Sequence, residues 1–317
     1  MTQDRAIITR RRFVAISAVA LGVTAAGLPF PAAANAPLAR WRGVALGAEA
    51  SITLRHPQAD RIISACRAEI ARLERIFSLY DAGSALSRLN ADGKLDAPPF
   101  ELLELLGQCG ALHAATGGLF DPTVQPLWAA YAEAFSSGRS PDGAILDQAL
   151  RRVGWAGVSA EPGRIVFLKP GMALTLNGIA QGYVADRVAA LLRAEGLTDV
   201  LVNTGEMRAL GGHPDGGAWP VSFDDGRGGS TGSIDLRDAA LATSSPLGTA
   251  FDAGGRVGHI LDPRTGQPAA PGWRLVSVTA KTAALADGLS TAMCLMTRAE
   301  IDRALARFPD ARLAYLA

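Results

Sequence analysis

The stretch Leu176-Asn177-Gly178-Ile179-Ala180-Gln181-Gly182-Tyr183-Val184-Ala185-Asp186 constrains the fold more than any other. A strand-like run from Met172 to Leu176 leads into it, and Val184, Val188, Leu191 and Leu192 leave it at helical spacing. Gly196 stands where the helix should end. Two glycines therefore hold a tight turn between a strand and a helix N-terminus. Free N–H groups and the positive end of the helix dipole meet there, which suits phosphate or another anion. A purely structural strand–helix turn uses the same glycines, so other segments must decide.

The rest of the chain mixes strands and helices without regular alternation, which predicts an α+β fold rather than a doubly wound sheet. The expected strands are Leu46–Leu54, Val200–Glu206, Val221–Phe223, Ser233–Leu236, Ala240–Thr243, Leu275–Thr279 and Arg312–Leu316. A hairpin is expected from Gly154–Val158 and Arg164–Leu168 around Glu161-Pro162-Gly163. Ile62, Ile63, Cys66, Ile70, Leu73, Ile76 and Phe77 mark an amphipathic helix. Further helices are predicted over Ser84–Asn90, capped by Ser84, over Pro99–Thr116, over Ala283–Met296, capped by Thr282, and over Arg298–Phe308. Residues 136–143 read as a polar loop.

With 49% hydrophobic and 19% charged residues, the 317-residue chain has ample material for a core. Its net charge of +1 excludes a nucleic-acid binder held by bulk electrostatics. Thr9-Arg10-Arg11-Arg12-Phe13-Val14, the apolar run to Leu28 and Ala32-Ala33-Ala34 read as a twin-arginine signal. The expected domains are a signal peptide over 1–34, with Ala36 as the alternative cleavage point, and one domain over 35–317. Loss of the signal removes Arg5, Arg10, Arg11, Arg12 and Asp4, turning the net charge of +1 into −2. Export to the periplasm follows, with no stable membrane insertion after cleavage. Cys66, Cys109 and Cys294 are widely spaced in helix-like apolar contexts and read as buried thiols.

Asp287 and Thr291 lie four apart on one helix face, nearly opposite the apolar face. A carboxylate and a hydroxyl one turn apart offer two hard oxygens suited to Mg²⁺, although a solvated face would look the same. His259, near Asp262 in a Gly- and Pro-punctuated segment, is a candidate general base. Tyr80-Asp81 and Phe120-Asp121 pair an aromatic ring with a carboxylate after a turn, which suits a planar ligand with polar edges or a plain loop anchor. No Gly-x-Ser-x-Gly elbow, Cys-x-x-Cys pair, His-Glu-x-x-His helix or Gly-Lys-Ser/Thr phosphate loop occurs.

Seven collinear segments resemble the ApbE family of FAD:protein FMN transferases. They are Phe77–Asp81 with Ser84–Asn90, Thr116–Thr123, Gly178–Tyr183 with Asp186, Asn203–Gly205, Ala242–Ser244, His259–Gly266 and Ala286–Ala292. The resemblance implies two α+β subdomains with FAD in the cleft between them. It implies Mg²⁺-dependent transfer of the FMN half of FAD, as a phosphoester, onto a Thr or Ser of a target flavoprotein, with release of AMP. Carried over position by position, it implies FAD contacts at Tyr80, Leu119, Phe120, Asp121, Asn177, Tyr183, Asp186 and Ile260. It implies Mg²⁺ ligation by Asp287, Thr291 and the backbone oxygen of Ala180, with His259 and Asp262 as the catalytic pair. Gln181 stands where the family often has Lys, and Gly205-Glu206-Met207 where it often has Gly-Gly-Asp or Gly-Gly-Asn. With the twin-arginine signal, that variant is similar to the NosX branch, which accompanies nitrous oxide reductase and whose target is NosR, a membrane flavoprotein. An FAD pyrophosphatase with water as acceptor, and a non-catalytic flavin carrier, are the alternatives that the residues leave open.

Overall fold

A computed structural model describes residues 36–224, 230–270 and 272–317. The expected signal segment lies outside the described residues. The elements in chain order begin with β1 (Leu38–Ala45), β2 (Ala48–Arg55), α1 (Ala59–Phe77), α2 (Ala85–Asp92), β3 (Lys94–Asp96) and α3 (Phe100–Ala115). Then come α4 (Gln125–Ser136), α5 (Gly143–Leu150), β4 (Val158–Glu161), β5 (Arg164–Phe167), α6 (Ala180–Ala194), β6 (Val200–Asn203) and β7 (Met207–Leu210). The chain closes with β8 (Trp219–Asp224), β9 (Ser230–Leu236), β10 (Ala240–Ser244), β11 (Val276–Ala280), α7 (Ala283–Met293), α8 (Arg298–Leu305) and β12 (Arg312–Leu316).

A seven-stranded antiparallel sheet in the order β1-β2-β6-β7-β10-β11-β12 is the frame, and α+β is the observed class. Period-2 side-chain alternation divides its faces. Val200, Val202, Ala240 and Ala242 point into the main core with α1, α6 and α7, whereas Leu201 and Leu241 point to the opposite face, where the β8–β9 ribbon brings Trp219, Val221 and Phe223. A three-stranded sheet, β3-β5-β4, forms separately. Helix α1 buries Ile62, Ile63, Cys66, Ile70, Leu73, Ile76 and Phe77, the same stripe that its sequence spacing predicts. All three cysteines are free and buried. Burial pushes the Cys66 thiol up to about 12 and raises the other two, so they are inert at neutral pH. No helix among the described residues is long and apolar enough to cross a membrane.

Several expectations are corrected. The first strand is the second arm of a hairpin, with Leu46 (φ 47°) and Gly47 (φ 83°) forming its turn. Two left-handed residues in succession make the tight turn that matches strand twist. Met172–Leu176 is not a strand. The Asn90 side chain donates to the Leu174 carbonyl (2.8 Å) and accepts from its N–H (2.7 Å), and Thr175 N–H donates to Pro122 (2.8 Å), so this backbone is satisfied without a sheet partner. The predicted hairpin starts later, at Val158, because Trp155–Gly157 forms a 3₁₀ turn. The polar loop at 136–143 separates two unpredicted helices, α4 and α5, whose core is Leu127, Tyr131, Ala149, Val153 and Leu261. Strand β7 is a further addition, since the β6 strand ends at Asn203 and turns back at Thr204–Glu206.

Candidate functional site

The Gly-rich turn of the sequence leads to a pair of helices that terminate each other. In the first turn of α6, the Gly182 N–H donates to Asp287 Oδ2 of α7 (3.2 Å). In return, the Asp186 carboxylate of α6 accepts from Ala283 N–H and Ala284 N–H at the start of α7 (both 2.9 Å). Thr282 caps α7 from its own side by accepting from Leu285 N–H. Each carboxylate thereby satisfies donors that a helix N-terminus leaves orphaned. The contact needs glycine: a Cβ on Gly182 would lie 2.3 Å from the Ala283 carbonyl oxygen. Gly178 approaches Thr291 in the same way, with a Cβ falling 3.0 Å from its hydroxyl oxygen.

This packing delivers Asp287 and Thr291 to the wall of a cavity. Leu119, Phe120, Asp121, Asn177, Gln181, Glu206, Ser244, His259 and Ile260 are also on its wall. Helix α7 is buried nearly all round, so Asp287 (3% exposed) is not on a solvated face. Burial pushes Asp287 up to about 7, against the pull of the Gly182 N–H and with the Asp186 charge adding to the rise. Glu206, in the β6–β7 turn, is 7% exposed and accepts from Thr243 N–H through Oε2 (3.1 Å). Burial first, and then the Asp287 charge, pushes Glu206 well above the ordinary carboxylate range. Among the described residues, the wall carries no Lys or Arg. Two buried carboxylates without a cationic partner are costly as they stand. Asp287 and the Thr291 hydroxyl offer an all-oxygen pair on the wall that fits a hard divalent cation, whereas Ala180, the third expected ligand, opens α6 and is not itself on the wall. No cluster of three or more His, Cys, Asp or Glu side chains forms among the described residues.

His259 Nδ1 lies 2.9 Å from the Thr249 carbonyl oxygen. A carbonyl only accepts, so in the neutral ring Nδ1 carries the proton and Nε2 is the basic nitrogen. Burial holds this imidazole below its ordinary pKa, partly offset by the Thr249 and Pro246 backbone, so the ring is neutral at physiological pH. Asp262 is not its orienting group. That carboxylate accepts from Arg264 Nη2 (2.7 Å) and from the Arg264 N–H (2.8 Å), closing the turn that follows.

Other expected ligand contacts have structural work of their own. Asp121 is on the wall, but its oxygens accept from Thr123 N–H (2.8 Å), Thr123 Oγ1 (2.6 Å) and Trp155 N–H (3.1 Å), fixing the Phe120 loop. Tyr183 is away from the wall, 3% exposed, edge-on to Phe77 and donating to Glu104. Asp186 is likewise absent from the wall and caps α7. Tyr80 (64% exposed) belongs to a second groove with Asn90, Gln125 and Ile145, on the other side of α4. Ser244 went unremarked as a site residue, although the sequence placed it in a motif. Its hydroxyl lies 2.8 Å from Ser290 Oγ and 3.4 Å from Thr291 Oγ1.

The ApbE family model matches residues 46–316. The chain belongs to the ApbE family. It is 32% identical, over 76% of its length and 75% of the relative's, to the FAD:protein FMN transferase of Treponema pallidum. It is 26% identical to the enzyme of the same name from Klebsiella pneumoniae, covering 81% of this chain and 75% of that one. The apo crystal structure of the Pseudomonas stutzeri flavinyl transferase ApbE superposes with a TM-score of 0.74 at 27% identity, covering 86% of this chain and 89% of that one. The ApbE protein of Thermotoga maritima gives 0.77 at 28% identity, covering 87% and 93%. This ApbE chain thus has the family's fold along nearly all of its described length.

Proposed function

We propose that this protein is a Mg²⁺-dependent FAD:protein FMN transferase. The observation that carries the reading is one cavity that joins an all-oxygen cation pair, Asp287 and Thr291, to the imidazole of His259, whose Nδ1 is held by the Thr249 carbonyl. Membership of the ApbE family and the printed names of the relatives supply the reaction class. FAD occupies this cavity, with Leu119, Phe120, Asn177 and Ile260 as its contacts. His259 Nε2 takes the proton from a Thr or Ser hydroxyl of the acceptor. The hydroxyl oxygen forms a bond to the FMN-side phosphorus, and the phosphoanhydride bond breaks with AMP leaving. Asp287, Thr291 and the Ala180 carbonyl would hold Mg²⁺, which would supply charge neutralisation at the diphosphate. The described residues of the wall include no Lys or Arg to share that task. The Thr249 carbonyl keeps His259 in the tautomer that accepts a proton at Nε2.

The acceptor is a flavoprotein of the NosR type, and the protein belongs with the NosX branch. It reaches the periplasm by the twin-arginine route after removal of residues 1–34. These readings rest on the sequence motifs alone. The test mixes the mature protein, FAD, Mg²⁺ and an acceptor domain and reads intact mass. A covalent FMN adduct that disappears with EDTA supports the transferase. Free FMN and AMP without an adduct, across a panel of acceptors, would replace it with the pyrophosphatase. Bound but intact FAD would leave a flavin carrier.

A further inference from the structure

The turn between β6 and β7 carries a buried acid for which the reaction just described has no use. Glu206 is 93% buried by the same measure that leaves it 7% exposed, and it is on the cavity wall with Asp287. Its Oε2 accepts one hydrogen bond, from Thr243 N–H at 3.1 Å, and among the described residues no donor reaches Oε1. The one strongly buried guanidinium of the neighbourhood, Arg208, is committed elsewhere: it lies 3.4 Å from Asp186 and donates to the Ala209 carbonyl (2.9 Å). Asp186 is occupied by the start of α7, and Asp121 by its own loop. Among the described residues, no cation therefore answers Glu206. Uncompensated buried carboxylates cost several kcal/mol in general, and folds that keep one pair it or give it a metal.

The surroundings hold Glu206 in place rather than let it swing to solvent. Gly205 has φ 101°, a left-handed conformation that glycine adopts freely, and the Gln181 side chain lies over it, 2.8 Å from where a Cβ would stand. Thr204 N–H closes the turn onto the Glu206 carbonyl (3.0 Å), and the Thr204 hydroxyl donates to the Gln181 carbonyl (2.8 Å). The turn is thus bolted to the first turn of α6, the same turn whose Gly182 N–H holds Asp287. Ser244 adds an oxygen. The single Ser290 proton is donated to the Asp287 carbonyl (3.0 Å), so Ser244 donates to Ser290 and is left as an acceptor beside Thr291 Oγ1 (3.4 Å).

We infer that Glu206 is a further cation-holding residue: it shares with Asp287 one divalent ion of the Mg²⁺ or Mn²⁺ class. The inference rests on the cation reading proposed above and adds a second anionic side chain to it. Two carboxylates on one ion raise its affinity in the substrate-free enzyme, before any diphosphate arrives. The ion is then resident in the enzyme rather than carried in with FAD.

Calorimetric titration of the whole mature protein with Mn²⁺, without FAD and at one pH, tests this. Glu206→Gln keeps an oxygen for Thr243 N–H and removes the charge. It should weaken Mn²⁺ binding at least tenfold at a stoichiometry of one ion, and Asp287→Asn should abolish binding. The Mn²⁺-induced rise in melting temperature should shrink in Glu206→Gln, while its metal-free melting temperature rises because a buried charge is gone. Glu206→Met, of similar volume, replaces it if the Gln variant does not fold. Binding within twofold of wild type in Glu206→Gln, with loss in Asp287→Asn, overturns the role of Glu206 and keeps the cation site. Wild-type binding in both variants overturns the cation site itself, and this inference with it.

Discussion

Gly182→Ala tests the helix pair that builds the site, because its sign is opposite to the ordinary expectation. Alanine in a helix interior is favoured over glycine by about 1 kcal/mol from propensity alone. At Gly182 the added Cβ meets backbone: the Ala283 carbonyl oxygen at 2.3 Å, its carbon at 2.4 Å and Ala284 N at 2.6 Å. None of these can rotate away, so α6 and α7 must separate, and forced overpacking of this kind costs about 1–3 kcal/mol. Separation also strains the Gly182 N–H bond to Asp287 and the two Asp186 bonds to α7, and one bond to a charged group is worth about 1.5–3 kcal/mol. The net expectation is a destabilisation of about 2–5 kcal/mol after the propensity gain. Gly107→Ala is the internal control. Gly107 is in α3, and a Cβ there meets nothing within 4 Å, so stabilisation of about 1 kcal/mol is expected. Denaturant unfolding of both variants reads the two signs as opposite shifts in midpoint at unchanged slope. A Gly182→Ala midpoint equal to or above wild type would refute the reasoning, since the close helix contact would then carry no weight.

Asp186→Ala removes an acceptor shared by two helix-end N–H groups, and a loss of about 1–2 kcal/mol is expected by the same unfolding assay, with weaker Mn²⁺ binding as α7 frays. Tyr183→Phe should leave turnover within a factor of about two while costing about 1 kcal/mol, because its hydroxyl serves Glu104 rather than the cavity; a large kinetic loss would place it in the site after all. At saturating Mg²⁺ the acid limb of the pH–rate profile should have its midpoint below about 6.5, since burial depresses His259 and the neutral ring is the base. His259→Asn should remove that limb together with roughly 10²–10⁴ of the rate. Without metal, stability should rise as pH falls from 8 towards 5. Asp287 has its pKa raised to about 7 in the fold, so the folded state binds more protons than the unfolded chain in that window. Excess Mg²⁺ should cancel this trend, and urea midpoints across that range would show whether it does.

The parts of the fold legible in the sequence are those that local periodicity and caps specify. The buried stripe of α1, the Ser84 and Thr282 caps and the closing strand β12 all follow from spacing or hydrogen-bonding chemistry within a few residues. The misplaced pieces are those decided by distant partners. Met172–Leu176 is as apolar as a strand, but Asn90, far back in the chain, answers its backbone. Leu46 looks like strand material until its positive φ makes it a turn. The pairing of Asp287 with Thr291 could be seen from their four-residue spacing, whereas their burial depended on Gly178 and Gly182, and no helical wheel contains that information. Asp186 and Tyr183 share a motif with residues of the cavity wall, yet they face the other way round α6. A motif marks a neighbourhood and does not by itself say which side chains reach the ligand.

The mutual capping of α6 and α7 also sets how the site can open. A helix end ordinarily frays by itself, one turn at a time, because water replaces its last partners at little cost. Here neither first turn can loosen without stripping a carboxylate from the other helix. The Gly182, Ala283 and Ala284 amide hydrogens should therefore exchange with solvent at one common, slow rate, as a single opening unit. Thermal motion then presents the cavity wall at Asp287 and Thr291 either whole or not at all.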